Sequence, residues 1–172
     1  MIEMTENSSE EKRYDTLILG SGNILLGDDG FGPAVVDHLI QNFELPKKAL
    51  ALDVGTGIQE ILFDLVLSDH PPEKILVVDV MDQKSPPGRL SWRKPDSLPQ
   101  RASGIFSLHL PPAAEMLTEL EKKGVEVWLL CCQPGEISET LQQGLSRPVS
   151  LAVLQASEKI YRILKGVPDF SE

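Results

Sequence analysis

The sequence is poor in cysteine and in positive charge. Its 172 residues include two cysteines, adjacent at positions 131 and 132, and this count argues against the disulfide framework of a small secreted protein. Lysine and arginine total 16 against 26 aspartates and glutamates, for a net charge of -10. Nucleic acids and anionic membrane surfaces need a positive patch on their partner, so this balance argues against both.

Long apolar runs are also lacking. No stretch approaches the roughly 20 residues that a transmembrane helix needs. The first 15 residues, MIEMTENSSEEKRYD, have no apolar segment of the kind found in a signal peptide. We therefore expect a cytoplasmic protein, with a disordered polar tail at residues 1–14 and a single domain at residues 15–172.

Strands and helices alternate along the rest of the chain. Continuous apolar runs are typical of buried parallel strands, and they occur at residues 15–20, 49–54, 74–81 and 125–132. Residues 89–93 alternate with period two, which predicts a half-exposed edge strand. Helices are predicted after the glycine-rich segment 20–32, at 58–66, at 111–121 and from 146 onward. This order predicts a three-layer α/β/α sandwich on a mostly parallel, twisted sheet of about five strands, with one antiparallel edge strand.

Polar side chains follow several of these strands directly. In open parallel sheets, functional groups gather beyond the carboxyl ends of the strands. The candidates that the sequence places there are Asn23, Asp28, Asp29, Asp53, Thr56, Asp79, Asp82 and His109.

Asp79 is the most informative of these residues because it interrupts the apolar run of the most buried strand. An unpaired carboxylate in such a place costs several kcal/mol. Asp79 is therefore expected to lie at the mouth of the strand, to pair or to bind a cation, and a structural role in capping a neighbouring turn or helix is the alternative. His109 immediately precedes a predicted helix. It is either a structural residue or a metal ligand.

Two or three carboxylates and one imidazole at a single sheet edge form a mixed oxygen and nitrogen site. Such a set suits a borderline divalent metal such as nickel or zinc. Three protein ligands would leave coordination positions open. The sequence offers no closed site with four ligands.

Two other chemistries are weakly supported. The segment Gly20-Ser21-Gly22 begins like a dinucleotide fingerprint but lacks its third glycine, and no Gly-Lys-Ser/Thr element is present. Cys131 and Cys132 end a buried strand, where sulfur side chains are ordinary core residues. Neither nucleotide binding nor a cysteine nucleophile is favoured.

The ordered set of motifs resembles the hydrogenase maturation endopeptidases, the proteases that process the large subunit of nickel–iron hydrogenases. Gly20 to Gly32 fits G-x-G-N-x-L-x-x-D-D/E-G-x-G, and later elements follow in the same order over residues 15–165. These elements are Asp53 to Thr56, Val78 to Asp82, Pro87-Gly88, Ser107 to His109, Gln133-Pro134 and Ser146 to Val149. The stretch Cys-Gln-Pro-Gly-Glu and the C-terminal block are most similar to the archaeal branch that serves the coenzyme F(420)-reducing hydrogenase.

The resemblance implies a function and a set of site residues. The enzyme would remove a C-terminal extension from the precursor after nickel insertion. Asp29, Asp79 and His109 would contact nickel that is already bound in the precursor, and no metal or cofactor would be permanently bound. Asp53 aligns with a further family acid that acts in metal recognition or in cleavage, so the candidate catalytic residues are Asp29, Asp79 and Asp53.

The resemblance leaves two points open. Water would be activated either by nickel acting as a Lewis acid or by a carboxylate acting as a general base. A chaperone that senses nickel and holds the same precursor without cutting it would use the same residues.

Overall fold

The computed structural model describes residues 13–98, 110–135 and 140–167. In these ranges five strands form one sheet in the order β2-β1-β3-β5-β4. The strands are β1 Thr16–Ser21, β2 Ala49–Gly55, β3 Lys74–Val80, β4 Leu90–Arg93 and β5 Glu126–Cys132. Strands β2, β1, β3 and β5 are parallel, and β4 pairs antiparallel with β5 at the edge. The predicted sheet is confirmed.

In the described part of the chain, four α-helices cover the two faces of this sheet. They are α1 Phe31–Asn42, α2 Ile58–Leu67, α3 Leu110–Lys122 and α4 Arg147–Leu164. Helices α1 and α4 pack together over one face, and α2 and α3 pack together over the other. Because side chains alternate along a strand, β3 contributes Val78 and Val80 to the first core and Ile75 and Val77 to the second.

The structure corrects the prediction for β4 in one respect. Period-two alternation predicted a strand with one exposed face, yet Leu90 and Ser91 are both buried. The Ser91 hydroxyl donates a hydrogen bond of 2.7 Å to the Gln83 side chain. The segment after β3 therefore shields the face that the pattern assigned to solvent.

The direction of α3 matters for the site. This helix ends at Lys122, and β5 begins at Glu126, which pairs with Lys74 at the start of β3. Thirteen helical residues span about 20 Å, close to the roughly 23 Å of a seven-residue strand. The first turn of α3 therefore lies near the carboxyl ends of the strands, on the face that it shares with α2.

The predicted tail lies largely outside the described residues, which begin at Arg13. Tyr14, which the sequence analysis includes in that tail, is half-buried against the core beneath α2 and α3. Within the ranges that the structure describes, no helix is both long enough and apolar enough to cross a membrane.

Substitution of Gly32 tests the packing of α1 on the sheet. A Cβ at this position would lie 2.2 Å from the Ser21 carbonyl oxygen and 2.4 Å from that of Val78. We expect Gly32→Ala to lower the free energy of unfolding by about 3 kcal/mol, because two strands and a helix would have to separate. The measurement is urea denaturation.

Gly57→Ala is the matched control, because a Cβ there would be 3.4 Å from its nearest neighbour, the Val54 carbonyl oxygen. It should change the free energy of unfolding by less than about 1 kcal/mol. Equal effects of the two substitutions would contradict the close approach of α1.

Candidate active site

The glycine-rich loop turns back on itself between β1 and α1. Gly22 has φ 136°, and a Cβ there would lie 1.9 Å from the Asp29 carbonyl oxygen. Only glycine accommodates both this conformation and this contact. The close packing at Gly22 and Gly32 holds the 3-10 turn Asp28–Gly30 against the end of β3.

Asp29 lies in this turn and is buried, with 2% of its surface exposed. Its Oδ2 accepts a hydrogen bond of 2.8 Å from the Asn23 backbone N–H. The loop thus folds its own backbone around the carboxylate. This contact fixes Asp29 beyond the carboxyl end of β1, as the sequence analysis predicted.

Asp79 is the next-to-last residue of β3 and is 1% exposed. Its Oδ1 accepts a hydrogen bond of 2.7 Å from the Val80 N–H. It pairs in register with Cys131 of β5, and alternation with Val77 and Met81 places it on the face covered by α2 and α3. Asp79 therefore lies near the carboxyl end of β3, and its binding of a cation stays a prediction.

Asp53 differs from these two acids because it is exposed. It lies near the end of β2, paired in register with Gly20 of β1. Its Oδ1 accepts a hydrogen bond of 2.9 Å from the Gly55 N–H, which closes a local turn. The three strands that deliver Asp53, Asp29 and Asp79 are neighbours in the order β2-β1-β3.

His109 lies outside the described residues. The next described residue is Leu110, the first residue of α3, and α3 covers the face of the sheet that carries Asp79. Within residues 13–98, 110–135 and 140–167, no three histidine, cysteine, aspartate or glutamate residues are grouped so that they could hold a metal ion.

Asp28 has a role that the sequence analysis did not foresee. Its carboxylate is buried and accepts hydrogen bonds from the Gly135 N–H at 2.8 Å, the Ser146 N–H at 2.6 Å and the Ser146 hydroxyl at 2.9 Å. These contacts tie the loop after β1 to the end of β5 and to the start of α4. Asp28 therefore stabilises the framework around Asp29.

Gln133 joins the segments that follow β3 and β5 through side-chain hydrogen bonds. Its Oε1 accepts a hydrogen bond of 2.6 Å from the Gln83 N–H, and its Nε2 donates one of 3.2 Å to Asp82. A hydrogen bond from the Lys84 side chain lowers the pKa of Asp82 from its ordinary value. Asp82 is consequently an ionised, partly exposed residue of the segment after β3.

The two cysteines are core residues, as the sequence analysis favoured. Both are fully buried and free. Burial raises the pKa of the Cys132 thiol to about 12, and it also raises the pKa of Cys131, where the nearby Asp79 carboxylate adds to the effect. A thiol that stays protonated at neutral pH is a poor nucleophile, so neither cysteine is suited to covalent catalysis.

A cavity of about 590 Å³ lies away from these acids. Asp15, Glu73 and Val125 line it, and each directly precedes a strand of the sheet. It therefore lies at the amino ends of the strands. The carboxylates occupy the opposite edge, at the carboxyl ends of β2 and β3 and in the 3-10 turn after β1.

The chain is similar to proteins of one family. The family model described as hydrogenase maturation protease matches residues 33–163. The sequence is 38% identical to a protein of Methanocaldococcus jannaschii provisionally named as a hydrogenase maturation protease, over 90% of this chain and 99% of the relative. It is 36% identical to the coenzyme F(420) hydrogenase subunit delta of Methanothermobacter thermautotrophicus, over 86% of this chain and 94% of the relative.

The fold is also that of a solved structure. The hydrogenase maturating endopeptidase HybD from E. coli superposes with a TM-score of 0.72 at 26% identity. The similarity covers 88% of this chain and 92% of that one.

Replacing Asp28 tests its role as a buried tie. Asp28→Ala leaves the N–H groups of Gly135 and Ser146 without their carboxylate acceptor. We expect the free energy of unfolding to fall by about 3 kcal/mol, because several buried hydrogen bonds to a charged group are lost. Thermal and urea denaturation measure the loss.

Asp37→Ala provides the control. Asp37 is an exposed residue of α1 whose carboxylate accepts a hydrogen bond only four residues along the helix, from Gln41. The expected loss is about 0.5 kcal/mol or less. If Asp28→Ala were equally mild, Asp28 would not be holding the three segments together.

Proposed function

Because the chain belongs to the hydrogenase maturation protease family, we propose that it removes the C-terminal extension of a nickel–iron hydrogenase large-subunit precursor once nickel has been inserted. The chain is a peptidase by its family. The proposal adds the substrate and the nickel check, in which nickel is part of the substrate. Asp29, Asp79 and His109 would complete or share the coordination of that nickel.

One observation carries this proposal. Asp29 and Asp79 are both almost completely buried, and they lie on elements that contact each other at one edge of the sheet. Carboxylates delivered to the same edge of the sheet are oxygen donors that suit a divalent ion. A partner that presents such an ion adds a large local positive charge at this edge.

The start of α3 supports the inclusion of His109. The described part of this helix begins at Leu110, one residue after His109, and its first turn lies near the edge that carries Asp79. Two carboxylates and an imidazole match the donors that nickel accepts. Because the set is incomplete, coordination positions would remain for the ligands of the precursor.

Asp53 fits a role in cleavage better than a role in coordination. Its carboxylate is solvent-exposed and has one local hydrogen bond, so water reaches it readily. In hydrolysis the water oxygen bonds to the scissile carbonyl carbon, the C–N bond breaks, and a proton passes to the leaving amine. A carboxylate that accepts the proton from water acts as a general base. Polarisation of the carbonyl by the precursor's nickel is the alternative.

The relative named as a coenzyme F(420) hydrogenase subunit supports a finer assignment. It is 36% identical over 86% of this chain. We assign the client to the coenzyme F(420)-reducing type of hydrogenase, processed in the cytoplasm of an archaeon. That relative is named as a subunit, which keeps open the alternative of a chaperone that holds its client without cutting it.

Processing of the purified precursor tests the nickel check. We expect the nickel-loaded precursor to be shortened at its C-terminus and the nickel-free precursor to stay intact, because only bound nickel completes the site. Mass spectrometry of both precursors before and after incubation is the measurement. Equal cleavage of both would refute the nickel check, and binding without any shortening would favour the chaperone.

Variants of the site residues test the ligand set. We expect His109→Ala, Asp29→Asn and Asp79→Asn each to lower kcat/KM by about a hundredfold, because each removes one contact to nickel. His70→Ala, a control in an exposed loop at the amino ends of the strands, should leave the rate unchanged. Circular dichroism verifies the fold of each variant. An unchanged rate would remove that residue from the site.

A further inference from the structure

Three apolar side chains are exposed on the loop that precedes Asp29 and on the segment bonded to that loop. Ile24 is 60% exposed, Leu25 is 40% exposed and Leu141 is 79% exposed. We call these three residues the apolar rim. Isolated exposed apolar residues are common on soluble proteins, and others here lie on helices α1, α2 and α4. The apolar rim differs because its members come from two loops that are bonded to each other.

Backbone hydrogen bonds join the two loops. The Gln142 N–H donates to the Leu25 carbonyl at 2.8 Å, and the Gly27 N–H donates to the Gln142 carbonyl at 2.7 Å. Leu26 and Gln142 form a parallel β-bridge. Leu141 is therefore held next to Leu25, although 116 positions separate them in the printed sequence.

The loop that carries Ile24 and Leu25 is itself fixed. The Asn23 side-chain oxygen accepts a hydrogen bond of 3.0 Å from the Leu25 N–H, and the Asn23 carbonyl accepts one of 3.1 Å from the Leu26 N–H. The backbone is thus tied down while the side chains face outward. A preorganised apolar surface loses little entropy when a partner covers it.

The position of the apolar rim identifies its occupant. The Asn23 N–H bonds to the Asp29 carboxylate, and Ile24 follows it one residue later, about 3.8 Å further along the chain. A metal bound by Asp29 would lie about 2 Å from its oxygen. A protein that brings its own metal to Asp29 therefore passes close to Ile24.

From this continuity we infer that the apolar rim is the docking surface for the precursor, and that it receives an apolar segment of the precursor next to the nickel. The inference rests on the proposed function and adds a determinant of client choice that is separate from metal recognition. The carboxylates and the imidazole would recognise the metal. The apolar rim would recognise the precursor segment next to the metal, because apolar contact discriminates between partners by shape and buried area.

Steady-state cleavage of the nickel-loaded precursor separates the two roles. We expect Ile24→Ser and Leu141→Ser each to raise KM about tenfold while kcat stays within about twofold, because they remove apolar contact made in both the ground state and the transition state. Leu154→Ser on α4 and Leu67→Ser on α2 are matched controls, since both leucines are at least 50% exposed. Their KM should not change.

Three results would overturn the inference. They are an unchanged KM in the rim variants, a loss confined to kcat, and a KM raised equally in the controls. Light scattering adds a further check: a wild-type dimer that Leu141→Ser converts to a monomer would assign the surface to a second copy of this chain.

Binding of the precursor to the wild-type protein, measured by biolayer interferometry, separates a failure of the proposed function from a failure of the docking surface. Binding without cleavage would refute the proposed function, and the rim variants would still report on docking through their dissociation constants. Cleavage with unaltered KM in the rim variants would refute the docking surface alone. Absence of both binding and cleavage would refute the two together.

Discussion

The close approach of α1 to β1 and β3 is the constraint on which the site depends. At Gly32 the helix meets the carbonyl oxygens of both strands at distances that leave no room for a Cβ. The preceding residues must therefore complete their turn within a short loop, and the 3-10 turn Asp28–Gly30 is the result. Helix packing thus sets where the two adjacent aspartates lie.

The adjacent residues Asp28 and Asp29 have different roles. Asp28 binds backbone and hydroxyl donors from two later segments and stabilises the framework. Asp29 is enclosed by its own loop through Asn23 and lies beside the end of β3. Successive residues of a tight turn project in different directions, so neighbouring identical side chains meet different surroundings. A glycine-rich loop with paired negative charge is therefore suited to holding its own structure and to facing a cation, and it is unsuited to holding phosphate.

A buried carboxylate site and an exposed apolar surface complement each other in recognition of a metal-bearing protein. Desolvated acids gain most from a cation that arrives with its partner, and apolar side chains gain from any surface that excludes water. Asp53 adds a hydrated carboxylate on the neighbouring strand. In the proposed function, neighbouring segments at one edge of the sheet recognise the metal, recognise the precursor chain and give water access to the site.

The sequence by itself determined the sheet and the position of Asp79, because apolar runs and helical periodicity are local patterns that follow from burial on two faces or one. It also placed Asp29 after β1 and Asp53 near the end of β2. Only the tertiary structure decided that Asp28 contacts residues 107 and 118 positions away, that Gln133 organises the loop after β3, and that Ser91 is shielded from solvent. These contacts join segments that are distant along the chain, and local patterns carry no information about which polar groups will meet once the helices have packed.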